Sequence, residues 1–287
     1  MSARAVWKTY TSNKKGVVGL AILVFLAIIA IFAPYIAPYN PNAIDPNAIL
    51  QPPSPKHIFG TNELGQDIFS LVIWGSRISL LVGFLATAVA MVVGTLVGIA
   101  AGYTGGLVDE ALMRVTDFFL VVPAVVLAIV VAAVLSSSLL NVILIIGLLS
   151  WPSTARVVRS QTLVIKQLPF VEASKAAGAS SFYIMRRHIF PNVMPLVYAN
   201  TALTIANAIF TQAALVFLGV GDVRDISWGQ ILHFAYSSGA ITAGYYWYAI
   251  PPGAMIVVAV LGFALTGYAL DEVFNPKLKE GVVFAST

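Results

Sequence analysis

The sequence predicts an all-α integral membrane protein with six membrane-spanning helices, and three observations carry that reading. Hydrophobic residues make up 59 % of the 287 and charged residues only 10 %, where a soluble chain holds roughly 45–50 % and about 25 %. So few charges cannot cover a water-facing surface. The apolar residues are gathered into long runs without Asp, Glu, Lys or Arg, and the mean hydropathy is +0.89. Stretches such as Ala21–Phe32 (AILVFLAIIAIF) are apolar on every side rather than alternating. That excludes barrel strands and calls for a helix, which satisfies its own backbone in lipid.

The charge-free runs place the spans. They cover 16–44, 78–108, 118–155, 192–221 and 226–270, against the about 20 residues a helix needs to cross ~30 Å of hydrocarbon. The third run is 38 residues long and broken by Ser136–Ser138, so it reads as two spans with a tight turn. The last opens with an interfacial piece. The expected spans are 17–38, 78–102, 116–135, 139–157, 192–219 and 250–271. The chain then divides into an N-terminal segment with the first span (1–40), an outer segment (41–76), a five-helix core (77–275) containing an inner loop at 156–190, and a tail (276–287). The first apolar run follows Lys14 and Lys15 as in a signal peptide, but it exceeds the 7–15 residues of such a core, so it is expected to stay as a span.

With the N-terminus inside, Arg4, Lys8, Lys14, Lys15, Arg114, Arg156, Arg159, Lys166, Lys175, Arg186, Arg187, Lys277 and Lys279 face the cytoplasm, and only Lys56, Arg77 and Arg224 face out. The positive-inside rule puts both termini in the cytoplasm. The isoelectric point near 9.3 records this topology rather than a nucleic-acid partner. The absence of cysteine excludes disulfides and Cys-ligated metal.

Three connections are long. Residues 38–75 are rich in Pro and Asn and read as extended, with FGTNELGQDIFS more structured. Residues 156–187 read as helix–Gly turn–helix. Pro169 starts PFVEASKAA, Gly178 stops it, Ser180 or Ser181 caps FYIMRRHIF, and Pro191 follows that helix. Residues 220–248 carry Trp228, Tyr245, Tyr246, Trp247 and Tyr248, an aromatic set suited to the outer interface.

Within the spans, Ala86, Ala90, Gly94, Gly98 and Gly102 recur every four residues, a spacing that lets helices pack closely; a sliding gate is the alternative. Asn200, Thr204, Asn207 and Thr211 share one face of the fifth span. Such a face is costly against lipid; it lines a pathway or bonds a neighbouring helix, and the first is favoured. Asp109, Glu110, Arg114 and Asp117 follow a Gly-rich turn at 102–106, with Asp109 or Glu110 placed to pair with Arg114. There is no Gly-x-x-x-x-Gly-Lys-Ser/Thr phosphate loop, and the span cores hold no Asp, Glu, Lys or Arg to couple protons. His57, His188 and His233 show no metal-ligand spacing. No enzymatic role and no metal site are expected; a secondary transporter or channel is the competing class.

The stretch VEASKAAGASSFYIMRRHIFPN resembles the "EAA" loop of ATP-binding-cassette importer permeases through Glu172, Ala173, Gly178, Ile189 and Pro191, with Ser174 replacing the second Ala. HIFGTNELGQDIFS, Ala101–Leu120, Ser227-Trp228-Gly229, Pro252-Gly253 and Asn275-Pro276-Lys277 extend the likeness to the second permease of dipeptide/oligopeptide/nickel-type importers over nearly the whole chain. Gln66 stands where that family usually has arginine. The resemblance implies a type I importer permease fold and a loop that docks on a separate ATPase. It also implies a paralogous permease, two ATP-binding-cassette ATPase subunits holding ATP and Mg, and an extracytoplasmic solute-binding protein, with the assembly in the plasma membrane of a prokaryote. The implied cargo is di- or oligopeptides, with oligosaccharides or nickel as alternatives.

Overall fold

The computed structural model describes residues 3–135, 138–222 and 224–274. Ser136, Ser137, Val223, the Asn275-Pro276-Lys277 motif and the tail 276–287 lie outside the described residues. Among those described, helices dominate and no β-strand forms beyond an isolated bridge between Thr61 and Asp67.

Helix α1 covers Ala3–Ser12 and α2 Lys14–Ile31. Asn13 starts α2 by accepting the N–H groups of Lys15 at 2.9 Å and Gly16 at 3.2 Å, two of the donors a helix start leaves unpaired. Pro34, in the first turn of α3 (Ala33–Ile36), has no N–H to carry the α2 ladder onward, so α3 starts as a separate turn. The 38–67 segment is irregular but not merely extended. Gln51 N–H donates to the Thr61 hydroxyl at 2.9 Å, and the Gln66 amide spans Asn62 Nδ2 at 2.7 Å and Pro41 O at 2.9 Å.

Asp67 caps α4 (Ile68–Thr104) through Ser70 N–H, and Gly105, at φ +70°, ends it. At 1.5 Å per residue this helix is about 55 Å long, well over the ~30 Å of hydrocarbon a span must cross. The expected third span, 116–135, falls on two arms, α5 (Gly106–Val121) and α6 (Ala124–Val134), bent by 93°. Pro123 explains the bend: it removes a donor and forces Val122 into extended backbone, ψ 129°. Helix α7 (Leu139–Ile165), capped by Ser138, runs past the expected end of the fourth span and takes up the first residues of the 156–190 loop.

Helix α8 is Pro169–Ala176. The next helix does not stop at Pro191. α9 (Ser181–Ile184), a π-helical turn (Met185–Ile189) and α10 (Phe190–Phe217) run on as one rod. The wider turn, with Phe190 N–H donating to Met185 O, makes room for a ring that would otherwise clash with the preceding turn. Two further helices, α11 (Trp228–Ser237) and α12 (Tyr246–Phe274), follow among the described residues.

Among the described residues five helices are long and apolar enough to cross a membrane, six with the bent pair counted as one span. α4 and α7 form the largest interface, and α10 packs on α12, α4 and α7. A Cβ on Gly94 would stand 2.7 Å from Trp151 O, on Gly98 2.6 Å from Ala155 O, and on Gly102 2.9 Å from Arg159 O. The small-residue stripe thus sets α4 backbone directly against α7. Val24, Phe25, Ile28, Leu96, Val257 and Leu261 stay exposed, a surface suited to lipid rather than water.

Candidate functional site

The segment from Lys166 to Ile189 forms one end of the bundle, rich in Lys and Arg; the opposite end carries Trp228 and Tyr245–Tyr248. At the basic end, Leu168 is extended (φ −75°, ψ 144°) and Pro169 opens α8. Pro at a first helical position loses nothing, because that N–H has no partner in the helix anyway. Val171 is 3 % exposed and anchors α8 in a cluster with Ile99, Val158, Ile165, Ile184 and Ile189.

The far end of α8 closes in a Schellman motif: Ala179 N–H donates to Ser174 O at 3.1 Å, and Gly178 N–H to Lys175 O at 3.0 Å. Gly178 sits at φ +82° with open space where a Cβ would lie. Ser180 then caps the next helix through Tyr183 N–H at 3.3 Å. The result is a short helix pinned at Val171 and presenting Glu172, Ala173 and Gly178 outward, with Ser174 half-buried. Glu172 has no ion-pair partner among the described residues. Ile189 is fully buried, and Pro191 is exposed at the start of α10.

Behind this helix, Arg159 grips Asp109 with both prongs of its guanidinium and Arg156 holds Asp117 at 2.6 Å. Only Glu110 pairs with Arg114, at 3.5 Å. The expected partner of Asp109 is therefore replaced. Arg159 and Asp109 stand 50 residues apart, so no local spacing announces them.

On α10 the polar face divides. Thr204 is buried and donates to Asn200 O of its own helix at 3.1 Å. Asn200 and Thr211 are half-buried, and Asn207 is exposed. Among the described residues none of the four bonds another helix of this chain.

At the aromatic end Trp228 is fully buried; its indole N–H donates to Val72 O at 3.0 Å, and its backbone N–H to the Ser79 hydroxyl at 3.1 Å. His57 and Asp67, both buried, meet at 3.0 Å, a pair ten residues apart that sequence spacing did not single out. His233 contacts Phe217 O at 2.8 Å instead, and no cluster able to hold a metal ion occurs among the described residues. In the loop before α11 the Arg224 guanidinium, bonded to Asp222, holds that carboxyl down at about 2. Burial pushes neighbouring Asp225 up, with the Asp222 charge adding to it.

Residues 94–280 match the family described as the inner membrane component of binding-protein-dependent transport systems. The chain belongs to this family. Residues 3–53 of the permease match the N-terminal transmembrane domain of oligopeptide transport permease C. It is 36 % identical to the probable D,D-dipeptide transport system permease DdpC of Escherichia coli, over 96 % of this chain and 91 % of that protein. To the oligopeptide permease OppC of Bacillus subtilis it is 34 % identical over the same shares, 96 % and 91 %. The glutathione permease GsiD of Pectobacterium atrosepticum is 36 % identical over 96 % and 91 %. In fold the permease matches a chain of the MetNI methionine ABC transporter in inward facing conformations, with TM-score 0.55 and 21 % identity, covering 72 % of this chain and 95 % of that one. That likeness establishes a type I importer permease fold.

Proposed function

We propose that this chain is one of two permease subunits of an ATP-driven importer for di- or oligopeptides, and that α8 is where force enters. The observation that carries the reading is the build of α8. One buried residue anchors it, a Schellman turn ends it, and Glu172, Ala173 and Gly178 are left facing outward, with no side-chain partner among the described residues. A rigid, exposed, small-residue helix suits a groove on another protein.

In this reading the basic end faces the cytoplasm, and ATP and Mg sit in two partner ATPase subunits. A solute-binding protein delivers cargo at the aromatic end, and the polar face of α10 lines the path shared with a paralogous permease. Exposed Asn207 supports the last point: with no bond to another helix among the described residues, it needs water, cargo or the second permease. The peptide class is supported by relatives named for D,D-dipeptides, oligopeptides and glutathione. Reconstitution with partner ATPases and a solute-binding protein tests the proposal. Peptide uptake that requires both ATP and binding protein is expected; uptake driven by an ion gradient alone would replace it with a secondary transporter.

A further inference from the structure

We propose that Asp109 and Arg159 are positioning residues that yoke the bent α5–α6 span to the loop carrying α8, so that α5 and α7 move as one unit when the loop is displaced. This rests on the reading of α8 given above. α5 has one fully buried residue, Thr116, so apolar burial holds it weakly. Polar contacts hold it instead. Arg159 Nη2 donates to Asp109 Oδ2 at 2.6 Å while Nε donates to Oδ1, and the two side chains are 32 % and 15 % exposed. Two-pronged Arg–carboxylate contacts fix geometry as well as distance. Asp109 also lies in the first turn of α5, where the helix dipole favours an anion. Two turns further on, Arg156 meets Asp117 at 2.6 Å, but both side chains are about half exposed, so water screens this second point.

The turn between α4 and α5 is fastened too. Lys166, three residues before α8, donates to Gly102 O at 2.9 Å, one of the carbonyls a helix end leaves unpaired. Both ends of the α4–α5 turn are thereby held to the stretch of α7 that leads into α8. A push on α8 reaches α5 through these contacts.

The test uses the permease in its complete complex in lipid vesicles. The chain has no cysteine, so Leu107→Cys on α5 and Ser160→Cys on α7, both exposed, take spin labels cleanly. Their separation is measured without nucleotide and with ATP and vanadate. With Asp109 and Arg159 intact the separation should be the same in both states. Asp109→Asn should broaden it and lower stimulation of ATP hydrolysis by the binding protein about fivefold. The exchange Asp109→Arg with Arg159→Asp should restore both. A separation that shifts between nucleotide states with the native pair in place overturns the yoke. So does native stimulation in an assembled Asp109→Asn complex. Glu172→Ala distinguishes the two claims: if it abolishes stimulation while Asp109→Asn does not, only the yoke falls; if it leaves stimulation unchanged, the reading of α8 falls first.

Discussion

Gly178 carries the strongest single-residue argument because its conformation and its surroundings separate two effects. At φ +82° with nothing near a would-be Cβ, substitution meets backbone strain and no steric clash. Valine should cost roughly 1–3 kcal/mol there, whereas asparagine adopts the left-handed region readily. Gly178→Val is therefore expected to lose co-purifying ATPase or to hydrolyse ATP without transport, and Gly178→Asn to stay near native. Equal behaviour of the two variants in ATPase pull-down and peptide uptake would contradict a role for the turn. Asn207→Leu is expected to change uptake while the complex stays assembled on size exclusion; loss of assembly would assign Asn207 to packing between permeases instead. The turn at Gly178 was legible in the sequence because helix starts and stops are written in neighbouring residues, whereas Glu172 was picked out only by the resemblance to the EAA loop. The Asp109–Arg159 and His57–Asp67 contacts were not legible, since each depends on how separate segments come together.

At the scale of elements, the α4–α7 interface turns a run of small residues into a stability claim. A methyl on Gly98 would lie 2.6 Å from Ala155 O, a backbone atom that cannot rotate away. Gly98→Ala should destabilise the permease by about 1–3 kcal/mol, the range for overpacking. Gly253→Ala on α12, where an added Cβ would meet open space, should be neutral or slightly stabilising. Thermal unfolding in detergent, read by intrinsic tryptophan fluorescence, checks both; matching midpoints would mean that α4 and α7 do not pack backbone to backbone. Hydropathy found the spans because lipid demands uninterrupted apolar length, but it is blind to what happens inside a run. Pro123 folds the expected third span into two arms at 93°, although the run around it has no charge. Pro191 does the reverse. It reads as a helix stop, yet the π turn at Met185–Ile189 absorbs the ring and α10 continues.

For the whole molecule, orientation is the first question. Ser237→Cys at the end of α11 and Ser181→Cys at the start of α9 are both exposed and lie at opposite ends of the bundle. An impermeant thiol reagent added outside cells is expected to label the first and not the second; the reverse would turn the importer upside down. The central claim is that energy released elsewhere enters through α8. The most direct measurement places a photo-reactive group on Ala173→Cys in the assembled complex and illuminates it with and without ATP. The account predicts a cross-link to the ATPase subunit whose yield depends on nucleotide, with uptake arrested once the link forms. Cross-links only to lipid or to the second permease, with uptake unaffected, would contradict it.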